Sequence, residues 1–255
     1  MRIDKYLFEM GYFQSRQAAK DHIEAGLVSI NGKTDVKPSL EVDDQTEIKV
    51  IGKLHEFVSR GGLKLKAALE LFEIDVKDKN AVDIGASTGG FTDCLLQKGA
   101  ALVYAIDSGK DQLAKQLRED ARVRSFESTN ARYLTKETYG MQFDIAVMDV
   151  SFISQTLLYS SVSNLLLPSG IFVSLVKPQF EAGKKNIGKG GIVKDASVYK
   201  EVFKNVCDRA YENSLVCKQI IPSPILGKDG NREFLAYFIK DNVNEIKYPE
   251  FPSKF

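Results

Sequence analysis

Residues 81–91 read AVDIGASTGGF. The apolar start, Ala81–Ile84, has the length and composition of a buried strand, and the glycines after it turn the chain into a helix expected over Thr92–Lys98. A strand that ends in a glycine turn and continues as a helix opens a doubly wound sheet, because the missing side chains let a ligand approach the backbone at the carboxyl edge of the strands. Outward from this stretch the pattern repeats. Further strands are expected at Leu102–Ile106, Val123–Phe126, Phe143–Met148, Ile171–Val176, Leu215–Ile221 and Phe234–Ile239. Helices are expected at Leu63–Phe72, Lys110–Glu119, Gln155–Leu166 and Ser197–Glu212. Such alternation predicts an α/β fold, a mostly parallel Rossmann-like sheet with helices on both faces. The link from Pro222 to Arg232 has too little helix for a crossover, so the last strand is expected to be antiparallel.

Upstream, residues 1–53 form a separate pattern, a small N-terminal α+β domain. Ile3–Met10 reads as a helix stopped by Gly11. Ser15 suits the N-cap of a second helix, Arg16–Ala25, with Gly26 just past its end. A strand Leu27–Ile30 follows, then the hairpin signal Asn31-Gly32, and two more short strands near Val36 and Thr46–Val50. Residues 54–58 read as a linker, and 59–255 as the larger domain.

Composition narrows the function. The chain has 255 residues, 44% of them hydrophobic and 27% charged, which is enough for packed cores and typical of neither a disordered nor a membrane chain. No apolar run is long enough to cross a bilayer and no signal peptide opens the sequence, so a cytoplasmic protein is expected. Three cysteines far apart and two histidines make a zinc site or a histidine-based triad a poor expectation; no metal is expected. The net charge of +1 does not advertise a nucleic-acid partner, so any such binding would have to come from local placement of charge.

The glycine turn carries the chemistry. Asp83, two residues before Gly85, would repel a pyrophosphate but suits an ammonium group. Asp107, at the end of the next strand, can accept two ribose hydroxyls. The dinucleotide pattern G-x-G-x-x-G fails at Ser87. Asp83, Gly85, Gly89 and Asp107 together resemble S-adenosylmethionine-dependent methyltransferases. That resemblance implies S-adenosylmethionine as cofactor, held by the turn (Ser87, Gly90 and Phe91 included), with Asn130 as a neighbour of the adenine.

Four charged residues are expected on one rim. Asp149 closes the fourth strand of the large domain and Lys177 the fifth. Glu233 begins the antiparallel last strand, and Lys64 lies on the entering helix after Arg60-Gly61-Gly62. Lys66 is a rival two residues later that faces elsewhere. This set resembles the tetrad of FtsJ-type ribose methyltransferases. With SRGG, DIGASTGGF, MDVSFIS and LVKPQFE, nearly the full chain resembles the TlyA family of ribosomal RNA 2′-O-methyltransferases, also labelled haemolysins. The segment Leu54-His55-Glu56-Phe57-Val58 lacks the Arg and Trp of some members' linkers.

The resemblance implies methyl transfer to a ribose 2′-hydroxyl of ribosomal RNA, a cytidine within a ribosomal subunit, with no membrane partner. A lysine base accepts the proton only in its neutral form. Desolvation and a neighbouring cation favour that form and carboxylates oppose it, so which lysine does what stays open. The N-terminal pattern SRQAAKDHIEAGLVSINGK resembles the RNA-binding module of ribosomal protein S-four, which makes Arg2, Arg16, Lys20 and Lys33 candidate RNA contacts. Arg60 and the basic, glycine-rich segment with Lys184, Lys185 and Lys189 are further candidates. A non-catalytic ribosome-binding factor and a membrane-active haemolysin are the alternatives.

Overall fold

The computed structural model describes residues 1–13, 15–43, 45–52, 56–188, 191–193, 195–227 and 230–253. The chain forms two compact units, Met1–Glu56 and Phe57–Phe255.

In the first unit, α1 (Ile3–Glu9) and α2 (Arg16–Glu24) pack on an antiparallel pair, β1 (Val28–Ile30) and β2 (Ile48–Val50). Ser15 caps α2 as its sequence position requires, accepting the Ala18 N–H at 3.1 Å. Asn31 and Gly32 both take the left-handed φ of a tight hairpin turn, 47° and 80°. The hairpin holds only the bridge Ile30–Lys33, and no strand forms at Val36. Pro38 cannot donate to a ladder. The carbonyls of Pro38 and Leu40 instead accept the N–H groups of Asp4 and Ile3, which open a helix without a side-chain cap. The core here is Ile3, Leu7, Ala19, Ile23, Val28, Ile30 and Val42.

The second unit is built on seven strands: β3 (Asn80–Ile84), β4 (Leu102–Ile106), β5 (Val123–Phe126), β6 (Phe143–Met148), β7 (Leu166–Val176), β8 (Leu215–Pro222) and β9 (Phe234–Lys240). Their order is β5-β4-β3-β6-β7-β9-β8, and β9 runs antiparallel to both of its neighbours. The helices are α3 (Gly61–Leu71), α4 (Gly90–Gln97), α5 (Lys115–Arg118), α6 (Lys136–Tyr139), α7 (Tyr159–Leu165), α8 (Pro178–Glu181) and α9 (Ala196–Tyr211). One buried cluster joins the sheet to α7 and α9 through Phe172, Phe203 and Phe238. Another joins it to α3 and α4 through Leu65, Leu69 and Leu95. Strand alternation divides β3 between them, Val82 and Ile84 toward the first and Ala81 toward the second.

Several boundaries differ from the sequence reading; β7, expected from Ile171, already begins at Leu166. Only Lys115–Arg118 of Lys110–Glu119 is helical, because the Glu127 carboxylate takes the N–H groups of Asp111, Gln112 and Leu113 at 2.6, 2.8 and 3.0 Å and fixes them as a turn. Gln155–Leu158 is a 3-10 turn ahead of α7. Phe57 and Val58, read as linker, belong to the larger unit: Phe57 is buried and the Val58 N–H bonds Asp93. Leu54 and His55 lie outside the described residues.

Candidate active site

The turn after β3 is shaped for a ligand. Gly85 has φ 83°, and a Cβ there would come within 2.6 Å of the Asp149 carbonyl oxygen, so no side chain fits. The Gly85 and Ala86 N–H groups both bond the Ile106 carbonyl, which ties the turn to the end of β4. Asp107, next along β4, accepts the Ser87 N–H at 2.8 Å and the Gly109 N–H at 2.6 Å. These groups border a cleft of about 660 Å³, whose lining includes Gly85, Ser87, Asp107, Asn130 and Asp149. Asp83 lies fully buried beneath the turn. Its Oδ2 accepts the Thr92 hydroxyl at 2.7 Å, and its Oδ1 has no partner among the described residues. Burial pushes its carboxyl up to about 7; the Thr92 hydroxyl works against this, while Asp149 and Asp107 add repulsion.

The charged rim lies on the next strands. Asp149 follows β6, Lys177 follows β7, and Glu233 precedes β9, whose Phe234 pairs with Val176 of β7. Because β9 is antiparallel, its first residue stands at the edge where β6 and β7 end. Lys177 Nζ lies 2.6 Å from Asp149 Oδ1 and donates to Ser151 Oγ at 2.8 Å. Lys64, buried on α3, bonds Glu233 Oε2 at 2.5 Å. Each lysine therefore has its own carboxylate, and the two pairs sit on one rim beside the cleft.

The chain as a whole has known relatives. The model of FtsJ-like methyltransferases matches residues 57–240 and that of the S4 domain residues 1–48. The chain belongs to the FtsJ-like methyltransferase family. Among its relatives is the 16S/23S rRNA (cytidine-2′-O)-methyltransferase TlyA of Mycobacterium tuberculosis, 42% identical over 92% of this chain and 88% of the relative. Hemolysin A of Brachyspira hyodysenteriae is 41% identical over 94% of this chain and 100% of its own. A solved structure from Streptococcus thermophilus that also carries the hemolysin name is 45% identical, with a TM-score of 0.72 over 95% of this chain and 89% of that one. No helix among the described residues is long and apolar enough to cross a membrane.

As a member of this family, the chain is an enzyme that uses S-adenosylmethionine. The cleft fits that ligand on structural grounds: a turn that a Cβ would block and a carboxylate on its wall at Asp107, while Asp83, fully buried, does not line it. Other residues of the motif serve packing. A Cβ at Gly89 would strike Leu117 and Leu113, and one at Gly90 would strike Ser59 and the Gly62 nitrogen; Phe91 is buried against α3. None of these three lines the cleft. Asn130 does, while its Oδ1 caps the turn Ala131–Tyr133 through the Arg132 N–H.

The proposed RNA contacts are mostly exposed. Arg2 and Arg16 share one buried carboxylate, Asp4, with Arg16 at 2.8 Å and Arg2 at 3.1 Å. Burial alone would raise the Asp4 carboxyl; the two guanidiniums hold it below the usual range. Lys20 faces Glu24 at 3.6 Å. Lys33, Arg60, Lys184 and Lys185 are exposed, and Lys189 lies outside the described residues.

Several site residues escaped the sequence reading. Ser151 stands two residues after Asp149, and the alternation of an extended chain could have placed it beside the same lysine. Gln112, Ser128 and Thr129 line the cleft and Thr92 bonds Asp83; none carries a spacing signal. Phe152 is 92% exposed at the mouth of the cleft, 5.4 Å from the ring of Phe180.

Proposed function

We propose that the enzyme transfers the methyl group of S-adenosylmethionine to the 2′-hydroxyl of a cytidine in ribosomal RNA, acting on a ribosomal subunit in the cytoplasm. The observation that carries this reading is the pair of lysine–carboxylate contacts, Lys177–Asp149 and Lys64–Glu233, on the rim of the cofactor cleft. The relatives named for cytidine-2′-O-methylation give the substrate class.

Bound S-adenosylmethionine supplies a sulfonium methyl group that an oxygen nucleophile can displace in line. Asp107 would accept the ribose hydroxyls of that ligand, and Asp83, buried behind the cleft wall, would balance its ammonium group. Gly85 keeps the wall of the cleft low enough for the ligand to pass close to the backbone. At the rim, Lys177 in its neutral form would take the proton of the 2′-hydroxyl as the new O–C bond formed and the S–C bond broke. Asp149 and Ser151 hold the Lys177 Nζ from two sides, which fixes the direction from which it meets the hydroxyl. Lys64, held by Glu233, offsets negative charge on the oxygen. The first unit presents Arg2, Arg16, Lys20 and Lys33 to RNA phosphates, which carry no base identity themselves but set the register of binding.

The test is direct. Protein, labelled S-adenosylmethionine and separated ribosomal subunits are incubated, and the labelled nucleotide is mapped. Label on a 2′-O-methylcytidine, absent when the same ribose is 2′-deoxy, is the expected result. Label on a base, or none with either subunit or with free ribosomal RNA, overturns the assignment.

A further inference from the structure

The loop from Asp149 to Ser154 is held in a conformation that its own sequence does not favour. Phe152 has φ 64°, a left-handed backbone that a bulky side chain rarely adopts. It is 92% exposed and, among the described residues, its one ring contact is with Phe180, so packing does little to impose that conformation. A strained backbone persists when its surroundings over-determine it. Here the constraint comes from hydrogen bonds at the loop's two ends. At the first, the Asp149 N–H bonds the Ile84 carbonyl at 3.1 Å, and Ser151 receives Lys177 Nζ. At the second, both oxygens of one carboxylate are engaged: Glu181 Oε2 accepts the Ser154 hydroxyl at 2.6 Å and Oε1 accepts the Gln155 N–H at 2.9 Å.

Glu181 closes α8, the single turn that begins immediately after Lys177. Its carboxylate thus joins the loop behind Asp149 to the turn behind Lys177. Gln155 extends the tie into the sheet, since its side chain accepts the hydroxyl of Ser174 on β7. No cation pairs with Glu181 among the described residues. Burial pushes its carboxyl up, against the bonds from Ser154 and Gln155. A partly buried carboxylate without a cation is an unfavourable choice for simple packing. It is well suited to holding two donors of one loop in place.

We propose that Glu181 is a positioning residue of the methyl-transfer site, clamping the loop 149–154 to the turn after Lys177 so that Asp149 and Ser151 stay on the Lys177 Nζ. The inference rests on the assignment of Lys177 to the transfer step. It adds a residue that touches neither substrate nor cofactor and acts through Lys177.

The experiment compares Glu181→Ala, Glu181→Gln and Ser154→Ala in the full-length protein, with wild type and Ser151→Ala alongside. Calorimetry reads S-adenosylmethionine binding, and steady-state kinetics on ribosomal subunits read kcat and KM separately. Glu181→Ala leaves two donors without acceptors and should lower kcat by up to about 100-fold, as ångström-scale misplacement of a catalytic group does, with cofactor Kd and RNA KM nearly unchanged. Glu181→Gln keeps an acceptor for the Gln155 N–H, and its amide can donate to a rotated Ser154 hydroxyl, so it should recover most of the rate. Combining Glu181→Ala with Ser151→Ala should lose less than the product of the single losses, because both act on the same lysine. Ser154→Ala removes the bond to Glu181 Oε2 together with the Ser154 contacts to the Thr156 hydroxyl and N–H, and leaves the Gln155 N–H on Oε1. If Glu181→Ala does not fold, a lowered kcat in Ser154→Ala that Thr156→Ala does not reproduce supports the clamp, and wild-type kcat overturns it. Wild-type kcat in Glu181→Ala, or no recovery in Glu181→Gln, or multiplying losses in the double variant, would overturn the clamp. An inactive wild type with intact cofactor binding would instead overturn the reaction assigned above.

Discussion

Lys20 and Lys64 are both helical lysines paired with a glutamate, and they do opposite work. On α2 the Lys20–Glu24 contact is 3.6 Å long, with side chains 45% and 53% exposed. On α3 the Lys64–Glu233 contact is 2.5 Å long, with side chains 10% and 4% exposed. The first pair is wet, screened by salt and worth little, so its lysine can leave the glutamate for a phosphate. The second has given up hydration on both sides, and neither member can lose its partner without stranding a buried charge. On the proposed function, the same residue types thus give an adaptable RNA contact in one unit and a fixed scaffold for chemistry in the other.

The contrast breaks most visibly by stranding Glu233. Lys64→Met should lower the unfolding free energy of the catalytic unit by about 3–5 kcal/mol, the usual result of removing one member of a buried pair. Replacing both, Lys64→Met with Glu233→Met, should restore much of it while leaving methyl transfer impaired. Urea unfolding checks this; a loss no greater than that of Lys20→Met would put the two pairs in one class.

Next in size is Lys177. Lys177→Ala should bind cofactor and RNA and lose at least about 10²-fold in single-turnover rate. Lys177→Arg should be equally slow, because a guanidinium stays charged at any usable pH. If the arginine variant keeps near-normal turnover, positive charge suffices and the rim is a clamp for the ribose rather than a proton acceptor.

A smaller effect follows from Asp83. Its folded value, about 7, lies above the ordinary carboxylate range, so the folded chain holds a proton that the unfolded chain has released. Its contribution to stability is therefore full below about pH 4 and is lost as pH rises toward 7, with a slope that approaches about 1.4 kcal/mol per pH unit. Asp83→Asn should flatten that slope. Affinity for S-adenosylmethionine should move the other way in wild type, rising toward pH 7 as the carboxylate ionises. Equal slopes in the two proteins would show that Asp83 is not the titrating group.

The smallest effect belongs to the half-buried lysine of the first unit. Lys20→Ala should leave the melting temperature of the first unit almost unchanged and weaken RNA binding. The slope of log affinity against log salt should shrink by about 0.9 if one phosphate contact is lost. An unchanged salt slope would remove Lys20 from the interface.

Much of this was legible in the linear chain, for a local reason. Strand and helix periods report which face is buried, so β4, β5 and β6 appear where the apolar runs stand. A residue just past a strand must lie at the sheet's edge, which brings Asp107, Asp149 and Lys177 to one rim without knowledge of any contact. Gly85 was readable for a related reason, since a turn so close to another backbone admits no Cβ.

What the chain alone left open depends on partners distant in sequence. Lys64 and Glu233 lie 169 residues apart, and their pairing follows from β9 being inserted between β7 and β8 while α3 packs beside α4. The roles of Gly89 and Gly90 were set by the leucines and the serine that face them, and the fate of Val36 by a helix start that needed the neighbouring carbonyls. The sequence determined the two units, the sheet and the edge at which chemistry can occur, because periodicity and turn chemistry are local. Only the tertiary structure decided which carboxylate holds which lysine, since a buried charge takes its partner from whatever strand order and helix packing bring within a few ångströms.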